Sequence, residues 1–427
     1  MIDYKKILGD YTPDYEESLR LKCIENGIIK KLNDIISSRN IDAEPVSVGS
    51  YSKGTNLKNS DLDIFIVFSK KYPKNEMESI GLSLGHYILE NGVEKYAEHP
   101  YVSGYIENVK IDIVPAYKIE PGQRIVSTVD RTPLHTKYVI ENTDENLRND
   151  IRLLKIFMKA NNVYGSEVSK AGFSGYLCEI LVINLKSFDA VIKYFSKLKG
   201  RLIIPENSWK KFQEPVVIVD PVDPTRNAGA AVSLENLSRM KIASKLFLLN
   251  KNESFFYPRE ISPRYHKRGT CIYIITLKRP DIIDDIIYPQ VFRFERQIFN
   301  IADRYGFMPV SSEINVDNNI EILIELQRDV LPDVSKHAGP PVDSDESINF
   351  INVWKDRALR GPYIERDRLY VDSETRIKSF YDALNLELEK MDIGKNLNKL
   401  KDGIKIIKYN NSHFNVVKKF FSKDIFH

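Results

Sequence analysis

Three aspartates stand where a metal-binding centre could form. Asp61 and Asp63 flank the start of 62–68, a short run of apolar, β-branched and aromatic residues that predicts a buried strand. Side chains alternate along a strand, so the two carboxylates share one face. Asp112 interrupts a second β-rich run at 109–114. If the two strands are neighbours, the three side chains form a cluster of hard oxygen ligands suited to Mg²⁺.

A loop just ahead of this strand carries groups that bind phosphate. Gly49 and Gly54 let the backbone approach an anion closely. Ser50 offers a hydroxyl, and Lys53 supplies a positive charge. Taken singly, a Gly-Ser pair is commonly a turn, an Asp-x-Asp pair a solvated loop end, and Asp112 an outward-facing residue of an edge strand. Their coincidence in one chain predicts phosphate held beside a metal ion, which is typical of metal-dependent nucleotidyl transfer.

The surrounding sequence predicts the elements that position these residues. Apolar residues at helical spacing predict a long helix over 14–38, and a second helix is predicted over 79–91. Strands are predicted around Val46, over 101–105 and over 109–114. Together with the strand of the Asp-x-Asp pair they form a small mixed sheet, the nucleotide-binding half of a domain.

A basic stripe follows on the next predicted helix, which begins with an N-cap signal at 143–145. Its cations fall at i, i+4, i+7 and i+11, so they line one helix face. They are Arg148, Arg152, Lys155 and Lys159. Such a stripe is most often a solvated face, and on the residues alone its role stays open.

The rest of the chain predicts a scaffold and then a region of different character. A helix over 173–187 is expected to be scaffold, and a strand over 216–219 leads into an acidic turn. Beyond a linker expected at 250–254, the order β-α-β-β over 270–326 suits a split βαβ sandwich, similar to an RNA-recognition type sheet. From residue 395 onward, eight lysines stand against two acids, which is typical of a tail on RNA backbone and also of a solvated terminus.

Composition narrows the class of protein. The chain has 427 residues, 42% hydrophobic and 28% charged, which suits a globular protein of two or three domains. With a net charge of +3, any RNA contact depends on where the Lys and Arg residues lie. Three separated cysteines without a CxxC motif argue against a disulfide framework or a zinc site. Since we find no signal-type segment and no run of eighteen apolar residues, we expect a cytoplasmic protein without a membrane anchor.

Two levels of resemblance follow from the motifs. The loop and the three aspartates resemble the signature of the polymerase-beta type nucleotidyltransferases. A larger set of stretches is similar to the archaeal, class I CCA-adding enzymes, which are tRNA nucleotidyltransferases. These stretches are 97–101 (AEHPY), 129–133 (VDRTP), 152–155 (RLLK), 172–179 (GFSGYLCE), 219–223 (VDPVD), 226–227 (RN) and 278–281 (KRPD). The chain after Pro341 matches that family only loosely.

The resemblance implies an α+β, multidomain fold. We expect a nucleotidyltransferase catalytic head with a mixed sheet at 1–135 and a central, mostly helical nucleotide-recognition domain at 136–255. An RNA-binding body of β-α-β-β order with a basic tail is expected at 256–427.

The resemblance also implies roles for site residues. Asp61, Asp63 and Asp112 match the catalytic metal ligands. The matches that position the triphosphate, sugar and base are Gly49, Ser50, Lys53, His135, Lys155, Tyr164 and Arg226. Lys53 stands where many members carry Arg. From the residues themselves, alternatives stay open: packing for His135 and Tyr164, and for Arg226 a salt bridge with Asp220 or Asp223.

The implied activity is stepwise addition and repair of C, C and A at the 3′ end of tRNA from CTP and ATP, without a template. It would proceed by two-metal transfer with Mg²⁺ and release of pyrophosphate. A homodimer is one expected assembly. The alternatives are a related 3′ RNA nucleotidyltransferase, such as a poly(A) polymerase or an oligoadenylate synthetase, and a catalytically silent RNA-binding protein, against which the intact aspartates argue.

Overall fold

The computed structural model describes residues 2–96, 99–119, 129–210, 212–259, 262–265, 267–410 and 414–423. Packing divides this part of the chain into two units, one up to Arg259 and the other comprising the later residues. Within the described ranges, no helix combines the length and the apolar composition that crossing a membrane requires.

The first unit begins with helices and a sheet of mixed direction. Its elements are α1 Tyr4–Tyr11, α2 Tyr15–Ser38, β1 Ala43–Val48, α3 Gly49–Ser52, β2 Leu62–Phe68, α4 Lys74–Ile88, β3 Val93–Tyr96, β4 Pro100–Ile106 and β5 Val109–Tyr117. The strand order is β1-β2-β5-β4-β3, in which β2 and β5 are parallel and the other neighbours antiparallel. Every residue of β2 except Asp63 is buried, as its apolar run predicts.

Two helices cover this sheet. The predicted helix over 14–38 is confirmed as α2, whose N-cap Asp14 accepts a hydrogen bond from the backbone of Glu17. Its buried stripe consists of Leu21, Ile24, Ile28, Leu32 and Ile36. The bounds predicted for the second helix are wrong, since α4 begins at Lys74 and ends at Ile88 instead of spanning 79–91. The earlier start follows from Pro73, which precedes the first turn, and from Met77, which is buried.

The remainder of the first unit is mostly helical, as expected. Its elements are α5 Thr132–Glu141, α6 Glu145–Ala160, α7 Gly175–Leu185, α8 Phe188–Lys197, β6 Leu202–Ile204, β7 Val216–Asp220, β8 Asp223–Asn227 and α9 Leu234–Asn250. The residues expected as a linker end α9 and begin a short 3-10 helix, Glu253–Phe256. Because Phe255 and Phe256 are buried, this segment belongs to the packed core.

Phenylalanine rings fill the centre of that core. The ring of Phe157 on α6 lies 5.5 to 6.2 Å from the rings of Phe188, Phe247, Phe255 and Phe256. Most of these pairs are edge-to-face, the arrangement that the ring quadrupole favours. Phe157 therefore ties three helices and the end of the first unit together.

Replacing Phe157 with Ala is expected to lower the free energy of unfolding by about 3–5 kcal/mol, because the change leaves a cavity in a fully buried cluster. Urea unfolding followed by circular dichroism measures the change. Phe292→Ala, at a residue that is 36% exposed, is the matched control and should cost much less. An equal loss in both variants would contradict this account of the core.

The described residues of the second unit form two sheets. Its elements are β9 Cys271–Lys278, α10 Asp284–Tyr305, β10 Pro309–Val316, β11 Asn319–Leu326, β12 Val334–Pro341, α11 Ser347–Trp354, β13 Arg360–Glu365, β14 Arg368–Glu374, α12 Phe380–Leu388, β15 Lys405–Lys408 and α13 Asn415–Phe421. The sheets have the orders β10-β11-β9-β15 and β12-β14-β13. The elements β9, α10, β10 and β11 confirm the predicted β-α-β-β order, and the fold class α+β is confirmed.

The lysine-rich end of the chain is built into the larger of these sheets. β15 pairs with β9, and α13 packs its apolar face on the sheet. Lys408 contacts Asp329 at 2.5 Å, and Lys419 and Lys423 contact Glu313 at 3.0 and 2.7 Å. Several of these lysines therefore neutralise acids of their own unit.

Candidate active site

Two neighbouring strands bring the three aspartates to one place. Asp63 on β2 pairs directly with Asp112 on β5 in the parallel register. Asp61 comes immediately before β2, and its carboxylate shares a partner with that of Asp112, the ammonium group of Lys110. The carboxyl groups thus lie on one face at the start of β2, as the alternation of strand side chains requires.

Gly49 makes the contact between the predicted phosphate loop and this cluster. Val48, the last residue of β1, pairs with Asp63, and Gly49 then turns the chain with φ of +78°. A Cβ atom at this position would lie 2.2 Å from Oδ2 of Asp63, so only glycine fits. The hydroxyl of the half-buried Ser50 has no hydrogen bond to any residue that the structure describes, and it is therefore available to a ligand.

The cluster concentrates negative charge. Burial is the main cause that raises the pKa of Asp63 to about 6, and the charges of Asp112 and Asp61 raise it further. Asp63 accepts no hydrogen bond from the described residues. By contrast, Asp112 accepts a hydrogen bond of 2.6 Å at Oδ1 from the hydroxyl of Ser103 on β4. The site is therefore one where an added cation is favoured.

Lys110 already supplies one positive charge there. Its Nζ lies 2.5 Å from Oδ2 of Asp61 and 3.1 Å from Oδ2 of Asp112. Burial alone would lower the pKa of Lys110, but the bonds to the two carboxylates raise it above the ordinary value.

The residues fit a divalent metal by ligand type and charge, although not in their present arrangement. In the described ranges, no group of three or more His, Cys, Asp or Glu side chains stands ready to hold a metal ion. The ammonium of Lys110 lies between the carboxylates of Asp61 and Asp112. Carboxylates on adjacent strands, one of which accepts no hydrogen bond in the part of the chain that the structure describes, are otherwise the oxygen donors that Mg²⁺ prefers.

A second feature is a buried ionic network that joins the loop to the helical region. Glu179 on α7 lies 2.9 Å from the ammonium groups of both Lys53 and Lys155, and it accepts a bond of 2.6 Å from the hydroxyl of Thr55. Lys155 also donates to Thr55 Oγ1 at 2.9 Å. Burial would raise the pKa of Glu179, but the two lysines lower it well below its ordinary value. The two predicted phosphate-binding lysines are thus brought together by one carboxylate.

Three of the four cations of the basic stripe on α6 pack against the same loop, so this part of the stripe is not a solvated face. Arg148 lies over Gly54, where a Cβ would meet its Cδ at 3.2 Å. Arg152 donates to the backbone carbonyl of Asn56 at 3.3 Å. Lys155 is buried next to Thr55, which lies between Gly54 and Asn56. Three cations of the stripe therefore contact the three consecutive loop residues 54–56.

Tyr164 lies at the far end of this stripe. The ammonium of Lys159, which is exposed, stands 5.1 Å from the centre of the Tyr164 ring. The hydroxyl of Tyr164 approaches Gly175, at the start of α7, where a Cβ would lie 3.0 Å away. The structure places Tyr164 against α7 and beside the lysine network.

A third feature is a buried carboxylate that gathers His135 and Arg226. Asp220, at the end of β7, is fully buried and lies 2.9 Å from Nε2 of His135 and 2.8 Å from Nη1 of Arg226. The hydroxyl of Tyr176 donates to its other oxygen at 3.0 Å, and the His135 ring stacks on the Tyr176 ring with centroids 3.8 Å apart. Burial would raise the pKa of Asp220, but the bonds to His135 and Arg226 lower it to about 2.

The salt bridge left open for Arg226 is thus formed with Asp220, whereas Asp223 pairs with Arg131 at 2.9 Å. This does not remove Arg226 from a ligand, since its side chain remains 35% exposed. The guanidinium group is fixed on one side and open on the other. For His135, burial is the main cause of a pKa below the ordinary value, which favours a neutral ring.

Family comparisons cover both units. Residues 29–135 match the model of a nucleotidyltransferase domain, and residues 149–257 match that of the second domain of tRNA nucleotidyltransferases. Residues 268–408 match the C-terminal domain of CCA-adding enzymes. The chain is 99% identical over 427 residues to a CCA-adding enzyme of Picrophilus torridus, with all of both chains covered. The chain belongs to the CCA-adding family.

More distant members of the CCA-adding family agree over nearly the whole length. A CCA-adding enzyme of Thermoplasma acidophilum is 50% identical, with all of both chains covered. One of Methanocaldococcus jannaschii is 34% identical, covering 92% of this chain and 93% of that one. The chain is thus a nucleotidyltransferase, and the poly(A) polymerase and silent RNA-binding alternatives are not favoured.

In this CCA-adding family member, sequence reasoning missed three charged residues at the site. Glu179 was expected to be scaffold, yet it stands as an acid in an otherwise apolar helix, and that signal is visible in the sequence. Lys110 lies two residues before Asp112, so strand alternation already places both on one face. Asp220 was considered only as an alternative partner of Arg226, and its contacts with His135 and Tyr176 have no local sequence signal.

Proposed function

We propose that this chain adds and repairs the 3′-terminal CCA of tRNA from CTP and ATP, without a nucleic-acid template and with release of pyrophosphate. One observation carries the proposal. Asp63 and Asp112 are paired on adjacent strands, and Asp63 lies against Gly49 of the glycine-serine loop, in a chain that belongs to the CCA-adding family over its full length.

Within this proposal, Asp61, Asp63 and Asp112 are the ligands of Mg²⁺. When bound, the metal supplies positive charge that acidifies the attacking hydroxyl and stabilises the triphosphate. Asp63 lies against Gly49, so we assign it to the triphosphate side. Asp112 lies on the strand farther from that loop and is oriented by Ser103, so we assign it to the 3′ hydroxyl of the RNA.

The loop and the lysine network hold the triphosphate and sugar. Two ammonium groups share the single carboxylate of Glu179, so the network keeps a net positive charge beside the loop. Such a charge attracts a polyphosphate, and burial strengthens the effect. The residues that we assign to this task are Gly49, Ser50, Lys53, His135, Lys155 and Tyr164.

Arg226 recognises the base. On the Watson–Crick edge, guanidinium donors fit N3 of cytosine and N1 of adenine, which are acceptors, whereas uracil N3–H and guanine N1–H are donors. Asp220 holds one side of this group at 2.8 Å, and the exposed remainder faces the nucleotide. We therefore assign Asp220 as a positioning residue, which acts through Arg226 and His135.

Replacing Asp220 with Asn is expected to raise KM for CTP and ATP about tenfold and to increase misincorporation of UTP, while kcat changes less. Steady-state kinetics with each nucleotide on tRNA lacking CCA measure the changes in KM and kcat separately. Asp223→Asn, which affects the partner of Arg131 instead, should leave base discrimination unchanged. Equal discrimination in wild type and Asp220→Asn would contradict the positioning role.

The remaining assignments concern the whole molecule. We assign 1–135 to the catalytic head, 136–255 to nucleotide recognition, and 256–427 to contact with the body of tRNA. A cytoplasmic location is supported by Cys23, Cys178 and Cys271, all free thiols. The proposal includes a homodimer, which sedimentation of the purified chain measures.

The experiment that tests the activity uses tRNAs that end before, within and after CCA, together with Mg²⁺ and labelled CTP or ATP. The expected result is completion of the two ends that lack all or part of CCA, a stop after the terminal A, and no addition to the tRNA that already carries CCA. Open-ended tailing would identify a different 3′ transferase, and binding without incorporation would show a silent RNA-binding protein. With CTP alone, the tRNA that ends before CCA should receive two C residues and no more.

A further inference from the structure

Lys110 has a position that the proposed reaction does not explain. It lies on β5, two residues before Asp112, and its ammonium group stands between the carboxylates of Asp61 and Asp112 at 2.5 and 3.1 Å. Its side chain is 27% exposed, so it is partly withdrawn from water and held in place by these two contacts.

The carboxylate oxygens around Lys110 are few, and most are already engaged. Asp112 accepts from Ser103 at Oδ1 and from Lys110 at Oδ2. Asp61 accepts from Lys110 at Oδ2. A divalent cation placed between Asp61 and Asp112 competes with the ammonium group, because both would occupy the same space and two cations that close repel each other.

We propose that Lys110 is a built-in counterion of the aspartate cluster, which holds Asp61 and Asp112 together before the divalent cation binds and competes with that cation for their oxygens. This inference rests on the proposed metal site. Lys110 then lowers the metal affinity of the free protein. It also limits repulsion between the carboxylates while the site is without metal, since like charges at this spacing repel.

The test measures Mn²⁺ binding to the full chain without nucleotide, by electron paramagnetic resonance of free Mn²⁺. Lys110→Met removes the charge and keeps the apolar stem, and its Kd for Mn²⁺ is expected to fall about tenfold, equivalent to about 1.4 kcal/mol. Lys74→Met changes the net charge equally on the exposed surface of α4 and should bind as wild type does. Lys110→Gln is the second variant, used in case Lys110→Met fails to fold, and its Kd for Mn²⁺ should also be lower than that of wild type.

A second readout is thermal unfolding without added metal. Lys110→Met is expected to have a lower melting temperature than wild type, and saturating Mn²⁺ should raise the melting temperature of the variant more than that of wild type. Equal or weaker Mn²⁺ binding by both Lys110 variants would overturn the counterion role alone. Absence of Mn²⁺ binding in wild type and in both variants would overturn the proposed metal site and this inference with it.

Discussion

Replacing Asp112 with Asn is expected to lower CTP incorporation by about 10³-fold while tRNA binding is unchanged. The substitution keeps the size of the side chain and an oxygen that accepts from Ser103, but it removes the negative charge on the strand opposite Asp63. A loss confined to the chemical step follows because the charge acts on the reacting groups. Single-turnover incorporation into tRNA lacking CCA measures the rate, and a gel shift measures binding.

Asp34→Asn is the control for this experiment, since Asp34 is an exposed acid on α2. It should retain wild-type incorporation. If Asp112→Asn incorporates CTP within a few-fold of the wild-type rate, the assignment of the carboxylate cluster as the catalytic centre is wrong. Weaker tRNA binding together with a normal chemical rate would also contradict it.

Replacing Glu179 with Gln is expected to lower the free energy of unfolding by about 3–5 kcal/mol, the usual cost of removing one partner from a buried ion pair. Two ammonium groups, those of Lys53 and Lys155, lose the only carboxylate that the described residues place against them. Because these lysines also lie beside the phosphate loop, KM for CTP should rise in the same variant. Urea unfolding and steady-state kinetics measure the two effects.

The stability difference has a defined dependence on pH. The pKa of Glu179 lies at about 2, below its ordinary value of 4.5. Between these values the unfolded chain binds more protons than the native one, so the stabilisation from Glu179 is complete above about pH 4.5 and is lost as the pH falls through 2. The difference in the free energy of unfolding between wild type and Glu179→Gln should therefore become smaller as the pH falls from about 4.5 to about 2. Glu90→Gln, at an exposed position of the first unit, should have the same free energy of unfolding as wild type at every pH.

Local sequence patterns predicted strands and helices that carry the site, because a buried strand or helix face requires apolar residues at a regular spacing. The apolar run of β2 and the helical spacing of α2 are such patterns, and both elements have the predicted bounds within one residue. The pairing of β2 with β5 was the condition on which the predicted aspartate cluster depended, and the structure meets it.

Partners that lie far apart in the chain could not be found in this way. Lys53 and Lys155 were expected at the triphosphate on grounds of charge, yet their ammonium groups meet Glu179, which is 126 residues from Lys53. Nothing in the local pattern of any one of these residues specifies the other two. Likewise, the contact of Asp220 with His135 spans 85 residues. The sequence shows which charged residues the chain contains, but only the fold shows which of them form ion pairs.

The parallel pairing of β2 with β5 also sets an order of events during synthesis. The contact between Asp61 and Lys110 spans 49 residues, which include α4, β3 and β4. A ribosome-bound fragment that ends before β5 has the glycine-serine loop and two acids but not the third. Cation binding by nascent chains of increasing length should consequently appear only once residue 112 has left the exit tunnel, so that binding marks the point at which β5 has paired with β2.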